Sequence, residues 1–288
     1  MIKIGVIGNT GYISKSLIAE LLKSKDIYET KRIGRSGDFD IYLDLSDMLN
    51  YDFSVFKDLD YVIFTAAISS PDKCANEYDM AWKINVEGTK IVIKNLLNLG
   101  VKTIFLSSDA VYGKNELDIF TEDSVPKPFT PYGKMKKEIE DNFKDNKLFK
   151  CIRLSYVVSI NDKFMSYCID TYKNNSKIEV FHPFYRNCIF LNQVITIFIW
   201  LINNWNQFEP NILNACGDEL ISRVRIVDEM NRYLSNKLNY DIIKPEEYFF
   251  ENRTRITQMK SLYLKKYGIL REEMFSDKIR DELRSIGL

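Results

Sequence analysis

The chain has little of what metal centres and disulfide frameworks need. One histidine, His182, occurs in 288 residues, which excludes a His-rich metal site and argues against a Ser-His-Asp triad. The five cysteines are Cys74, Cys151, Cys168, Cys188 and Cys216; the count is odd and no two form C-x-x-C. Neither a disulfide framework nor zinc spacing results, so reduced core thiols in a cytoplasmic protein, and no metal, are expected. A charge excess is also lacking, with 40 Lys+Arg against 40 Asp+Glu. No polyanion attraction follows, and nucleic acid is not an expected partner. Long apolar runs are missing too. The most apolar stretch, Ile189 to Ile202, is interrupted by Asn192 and Gln193 and is too short to span a bilayer. A buried helix is expected there, and no membrane partner. No signal-peptide pattern precedes the first strand-like run.

What is present is an alternation of strand and helix patterns. "IKIGVIG" (Ile2 to Gly8) is a short apolar run ending in glycine, as suits a fully buried parallel strand. A helix pattern follows, with Ile13, Leu17, Ile18 and Leu21 on one face. "TKRIGR", "DIYLDL", "DYVIFTAA", "VKTIFLSS" and "KCIRLSYVV" read as further strands. A single long helix is expected over 72–100, and another from Pro131, with Thr130 as N-cap and Pro131 at N1. This alternation predicts an α/β fold: a Rossmann-type doubly wound parallel sheet with helices on both faces. Residues 1–160 are expected to form the dinucleotide-binding domain, joined by a returning helix near 190–204. Residues 161–288 are expected to be mainly a smaller substrate lobe.

Gly5, Gly8 and Gly11 stand between the first strand and its helix. Glycines there allow a tight turn and let backbone N–H groups approach a pyrophosphate at a helix N-terminus. Such a loop can also be a plain turn; its place after the first strand favours dinucleotide binding. Ser14 stands where a third glycine is often found. A carboxylate ending the second strand would select NAD through a ribose hydroxyl. The sequence has "RIGRSGD" instead, and Arg35 suits a 2′-phosphate. NADP(H) is therefore expected, with NAD(H) left open.

In "TPYGKMK", Tyr132 and Lys136 share a helix face one turn apart. A free phenol is a poor acid at neutral pH, and a nearby ammonium would lower its pKa. The pair could then exchange a proton with a carbinol or carbonyl oxygen; an ordinary surface pair is the plainer alternative. "FLSSDAVYG" ends a strand, where doubly wound sheets bind ligands, and places a serine hydroxyl there.

The pieces "GNTGYI", "FTAAIS", "INVEGTKIV", "FLSSDAVYG", "PYGKMKKEIE" and "IRLSYVV" together resemble an extended short-chain dehydrogenase/reductase of the NAD-dependent epimerase/dehydratase kind. The match covers about residues 1–160 and is looser beyond. The resemblance implies Tyr132 as acid–base residue, Lys136 as its electrostatic support and ribose ligand, and Ser108 as the catalytic hydroxyl. It implies cofactor contacts from Gly8, Thr10, Gly11, Tyr12, Ile13, Arg35, Asp44, Leu45, Ala66, Ala67 and Ser107. Ser69, Asp109 and Arg186 would meet substrate, Arg186 at its diphosphate. Asn85 would be mostly structural.

Asp109-Ala110 follows Ser108 where dehydratases of this family often carry Asp-Glu, which disfavours dehydration. The tail "RTRITQMKSLYLKKYGILREEM" resembles the ending of the dTDP-4-dehydrorhamnose reductase group, with Thr254 in place of a proline. Thr65 and Ser159 also depart from the common pattern. The implied activity is NAD(P)-dependent reduction of a keto group on a nucleotide-linked sugar. A sugar-nucleotide 4-epimerase or 4-dehydrogenase, and a non-catalytic dinucleotide-binding regulatory module, are the alternatives. Homodimer formation through the helices near 76–98 and after 131 is left open.

Overall fold

The computed structural model describes residues 1–235 and 237–288. Its first half is built from β1 (Ile2–Ile7), α1 (Tyr12–Lys23), β2 (Tyr28–Gly34), β3 (Ile41–Tyr42) and β4 (Tyr61–Phe64). There follow α2 (Pro71–Asn76), α3 (Tyr78–Trp82), α4 (Thr89–Asn98), β5 (Lys102–Ser108), β6 (Ile119–Phe120), α5 (Pro131–Phe143) and β7 (Phe149–Leu154). The second half has β8 (Val157–Val158), α6 (Lys163–Lys173), β9 (Lys177–Phe181), β10 (Tyr185–Arg186), β11 (Ile189–Phe190) and α7 (Leu191–Asn203). It ends with β12 (Ile212–Ala215), β13 (Ile221–Ser222), α8 (Arg223–Tyr233), β14 (Asn239–Ile243), β15 (Ile256–Met259) and α9 (Phe275–Arg284).

Contacts divide the described residues into two units. Residues 1–113, 125–154 and 198–213 form the first. Its sheet has the order β12-β7-β5-β4-β1-β2-β3, and every described pairing from β3 to β7 is parallel. The order reverses at β1, which makes a doubly wound, Rossmann-type sheet. β4 is buried along its whole length, as expected of a strand covered on both faces.

Residues 114–124, 155–197 and 214–288 form the second unit. Residues 114–124, expected with the first domain, group here because β6 pairs with β15. The strand expected over 150–158 ends at Leu154 and resumes as β8, which pairs with β11. Helices α6, α8 and α9 enclose a core of this unit that includes Met165, Cys168, Val227, Met230, Ile279 and Leu283.

The single helix expected over 72–100 is interrupted. It breaks at Glu77 (φ −118°, ψ 49°) and again in a π-helical segment, Lys83–Gly88, before α4. Two local contacts account for this. The Asn85 side chain both accepts from Ile68 N (2.8 Å) and donates to Ile68 O (2.9 Å), and a Cβ on Gly88 would lie 1.9 Å from Leu45 O. The widened turn serves both contacts at once. The expected strand Asp40–Leu45 shortens to Ile41–Tyr42, because Asp44 closes a turn by accepting from Ser46 N at 2.9 Å. All five cysteines are buried and unbridged. Among the described residues no helix is long and apolar enough to cross a membrane.

Candidate active site

The loop between β1 and α1 depends on Gly8, which has φ +93°. A Cβ there would stand 2.8 Å from Ala66 N, so glycine is required both by the dihedral and by the approach of the strand-end Thr65–Ala67. Gly11 is the N-cap of α1, and its N–H donates to Gly8 O at 3.0 Å. Thr10, Gly11 and Tyr12 are exposed at this helix start, and Ile13 is partly buried. Ser14, in the place of a third glycine, is fully buried and bonds Thr65 Oγ1 at 2.6 Å. Thr65 in turn donates to Ile7 O (2.7 Å). The two departures from the common pattern therefore pair with each other and keep α1 close to β1.

Asn9 organises the loop that follows β2, and the motif gave no reason to single it out. Its Nδ2 donates to Ser36 O (3.2 Å) and Asp38 O (2.8 Å). Gly34 admits it, since a Cβ there would lie 2.1 Å from Asn9 Oδ1. Arg35 is exposed and reaches Asp44 Oδ2 at 3.4 Å. Burial opposes ionisation of Asp44, but the Ser46 hydrogen bonds and Arg35 outweigh it and hold the carboxyl below its ordinary value. Leu45 is buried and its carbonyl faces Gly88. Ala66 and Ala67 are half-buried, and Ser69 is exposed.

The first turn of α5 is set by its cap. Thr130 Oγ1 accepts from Gly133 N (3.1 Å) and Pro131 takes N1. Gly133 lets this turn meet the end of β5: a Cβ would come within 2.3 Å of Ala110 O. Tyr132 and the turn after Ser108 are thereby brought together. Ser108 Oγ donates to Asp109 Oδ1 at 3.0 Å and accepts from Ala110 N at 3.2 Å. Lys136, one turn beyond Tyr132, is buried; its Nζ donates to Leu106 O at 2.7 Å and lies 5.7 Å from the centroid of the Tyr132 ring.

The expected lowering of the phenol pKa is not what this geometry gives. Burial pushes the Tyr132 phenol well above its ordinary value, with Cys74 and Asp109 acting in the same direction. Burial also pulls Lys136 down to about 8. This direction favours the neutral phenol form of Tyr132, which can donate a proton.

A buried network fixes α5 along its length. Glu140, one turn beyond Lys136, pairs with Arg153 of β7 at 2.7 Å, both side chains being 2% exposed. Arg153 Nη1 also donates to Tyr112 OH (2.9 Å), and Ser107 Oγ donates to Glu140. Ser107, expected at the cofactor, spends its hydroxyl on this network. Sequence reading passed over Glu140 and Arg153; the available signal was an arginine inside an apolar strand buried on both faces.

Arg186 lies in the second unit, on β10. Its guanidinium donates to Tyr185 O (2.6 Å), Arg255 O (3.2 Å), Thr254 O (2.9 Å) and Thr254 Oγ1 (3.0 Å).

Comparison with known proteins gives the family. The family model described as the RmlD substrate binding domain matches residues 2–231. The chain belongs to the RmlD substrate-binding-domain family. It is accordingly an extended short-chain dehydrogenase/reductase. The fold of this RmlD-family chain is shared with dTDP-4-dehydrorhamnose reductase of Bacillus anthracis in complex with NADP (TM-score 0.86, 19% identity, 99% of each chain). It is also shared with UDP-glucuronic acid 4-epimerase of Bacillus cereus in complex with UDP-glucuronic acid and NAD (TM-score 0.79, 18% identity, 99% of each chain). The spore coat polysaccharide biosynthesis protein SpsK of Bacillus subtilis is 32% identical over 78 residues, 27% of this chain and 28% of the relative. Matches to curated relatives span only 28–34% of their length.

Proposed function

We propose that this RmlD-family protein is an NADP-dependent reductase of a keto group on a nucleotide-linked sugar. The observation that carries the reading is the first turn of α5, which holds Tyr132 one turn from a buried Lys136 and against the Ser108 turn. The Gly8–Gly11 loop fits a dinucleotide pyrophosphate, because it offers a glycine-lined approach at a helix N-terminus. A reduced nicotinamide held at this loop would supply hydride for the substrate carbonyl carbon. Tyr132 donates its proton to the carbonyl oxygen. Ser108 turns its hydroxyl from Asp109 to that oxygen and holds it. Lys136 places positive charge beneath the phenol and stabilises the phenolate that proton donation leaves. Arg35, exposed beyond β2, favours a 2′-phosphate and so NADPH.

A 4-epimerase is the second reading, favoured by the shared fold with an NAD-bound epimerase. Epimerisation begins with oxidation and keeps its nicotinamide bound through the cycle, whereas Arg35, which suits a 2′-phosphate, favours the reductase. The deciding experiment is a panel of 4-keto-6-deoxy sugar nucleotides assayed by loss of NADPH, with NADH as control. NADPH-preferring turnover of at least one member is expected. Tightly co-purified NAD and no net turnover would favour the epimerase instead.

A further inference from the structure

Lys136 is a buried lysine with no ion-pair partner among the described residues. Its Nζ has the Leu106 carbonyl at 2.7 Å and the Phe105 ring centroid at 4.5 Å. A carbonyl dipole and a ring face attract a cation without cancelling its charge. The titratable groups around it are Tyr132 and Glu140 of α5, Cys74 of α2 and Cys151 of β7. Arg153 of β7 is paired with Glu140, and Tyr112 with Arg153. The stretch of β5 against it, Phe105–Ser107, adds no titratable group. Burial lowers Lys136, while Cys151, Cys74 and Glu140 act to raise it. A thiol can do so only as thiolate. Burial pushes Cys74 up to about 11 and Cys151 well above its ordinary value, so neither is charged where Lys136 titrates. Glu140 is the one of the three that carries negative charge there.

The geometry fits Glu140 for this task. It stands four residues after Lys136, on the same face of α5. Ser107 Oγ donates to Glu140 Oε1 at 2.5 Å, and the carbonyl of the preceding residue, Leu106, accepts from Lys136. Arg153 grips both carboxylate oxygens: Nε lies 3.2 Å from Oε1 and 3.1 Å from Oε2, and Nη2 lies 2.7 Å from Oε2. The carboxylate therefore has a fixed place one turn beyond the lysine. We propose that Glu140 is a positioning residue for the Lys136 ammonium: its carboxylate, fixed by Arg153 and Ser107, is the charge that keeps Lys136 protonated beside Tyr132. The catalytic consequence rests on the reductase reading, in which that ammonium supports proton donation by Tyr132.

The test follows Lys136 itself, by carbon NMR titration of the full chain labelled at the lysine Cε, with Lys136→Met to identify its signal. In the wild type Lys136 should titrate near about 8. In Glu140→Gln the midpoint should fall by about one pH unit or more, the usual effect of losing a close opposite charge. The alkaline limb of kcat/KM should move down with it. Glu140→Asp, which keeps the charge, should recover most of the shift. Cys74→Ala should leave the midpoint in place, because that thiol is neutral there. A purely structural ion pair would lower the melting temperature of Glu140→Gln and leave the midpoint unmoved. If Glu140→Gln does not fold, the double variant Glu140→Gln/Arg153→Met leaves neither charge buried alone, and its midpoint should also lie below that of the wild type. An unmoved midpoint in whichever variant folds would overturn the assignment, as would an equal shift in Cys74→Ala. A lowered midpoint beside an unmoved kinetic limb would overturn the catalytic consequence. A lowered midpoint in a chain that turns over no keto-sugar nucleotide would support the assignment and count against the reductase reading alone.

Discussion

Burial acts in opposite directions on two side chains of the proposed site. A free lysine remains charged well past neutrality, but Lys136 is pulled down to about 8 by desolvation. Tyr132 is pushed the other way, above its ordinary value, by the same cause. If the Lys136 ammonium supports proton donation, kcat/KM for carbonyl reduction should be level at lower pH and fall as pH rises through about 8, where the charge is lost. A profile that stays level to pH 10 would show that the ammonium is not needed. That Tyr132 and Lys136 share one face of a helix was legible from their spacing, and that a strand ends in serines just before that helix was legible from its pattern. The direction of the phenol shift was not, because it arises from partners distant in sequence. Ile68, Cys74 and Val86 pack with Tyr132 in one cluster, and no motif encodes that burial.

At the scale of the element, α5 is the device that aims Tyr132. Its ends are held by different means. Thr130 caps the first turn through one hydrogen bond, whereas Glu140 closes a buried ion pair with Arg153. Removal of the two should differ in size. Thr130→Ala should cost about 1 kcal/mol, while Glu140→Ala should cost roughly 3–5 kcal/mol by leaving Arg153 buried and unpaired. Urea unfolding of both variants measures the pair, and equal losses would contradict the network's role. The cap was readable from Thr-Pro before an amphipathic run. The break in the helix expected over 72–100 was not, since apolar periodicity shows that a helix exists but not that Asn85 and Gly88 must meet Ile68 and Leu45. The same limit applies to the second unit. Several of its strands are two residues long, too short to show a period-2 pattern.

For the whole molecule, the doubly wound sheet gathers the glycine loop, the Ser108 turn and α5 within one unit, at the ends of β1 and β5. That placement follows from the strand order and was foreseeable from the alternation of patterns along the first half of the sequence. The second unit follows no such regular alternation, and Arg186 was singled out there by its motif alone. The most direct measurement is the steady-state rate of Tyr132→Phe with the best keto-sugar nucleotide and NADPH, alongside the cofactor dissociation constant. The expected result is a fall in kcat/KM of about 10²–10⁴-fold, with NADPH affinity unchanged. Full reductase activity in Tyr132→Phe would contradict proton donation by Tyr132.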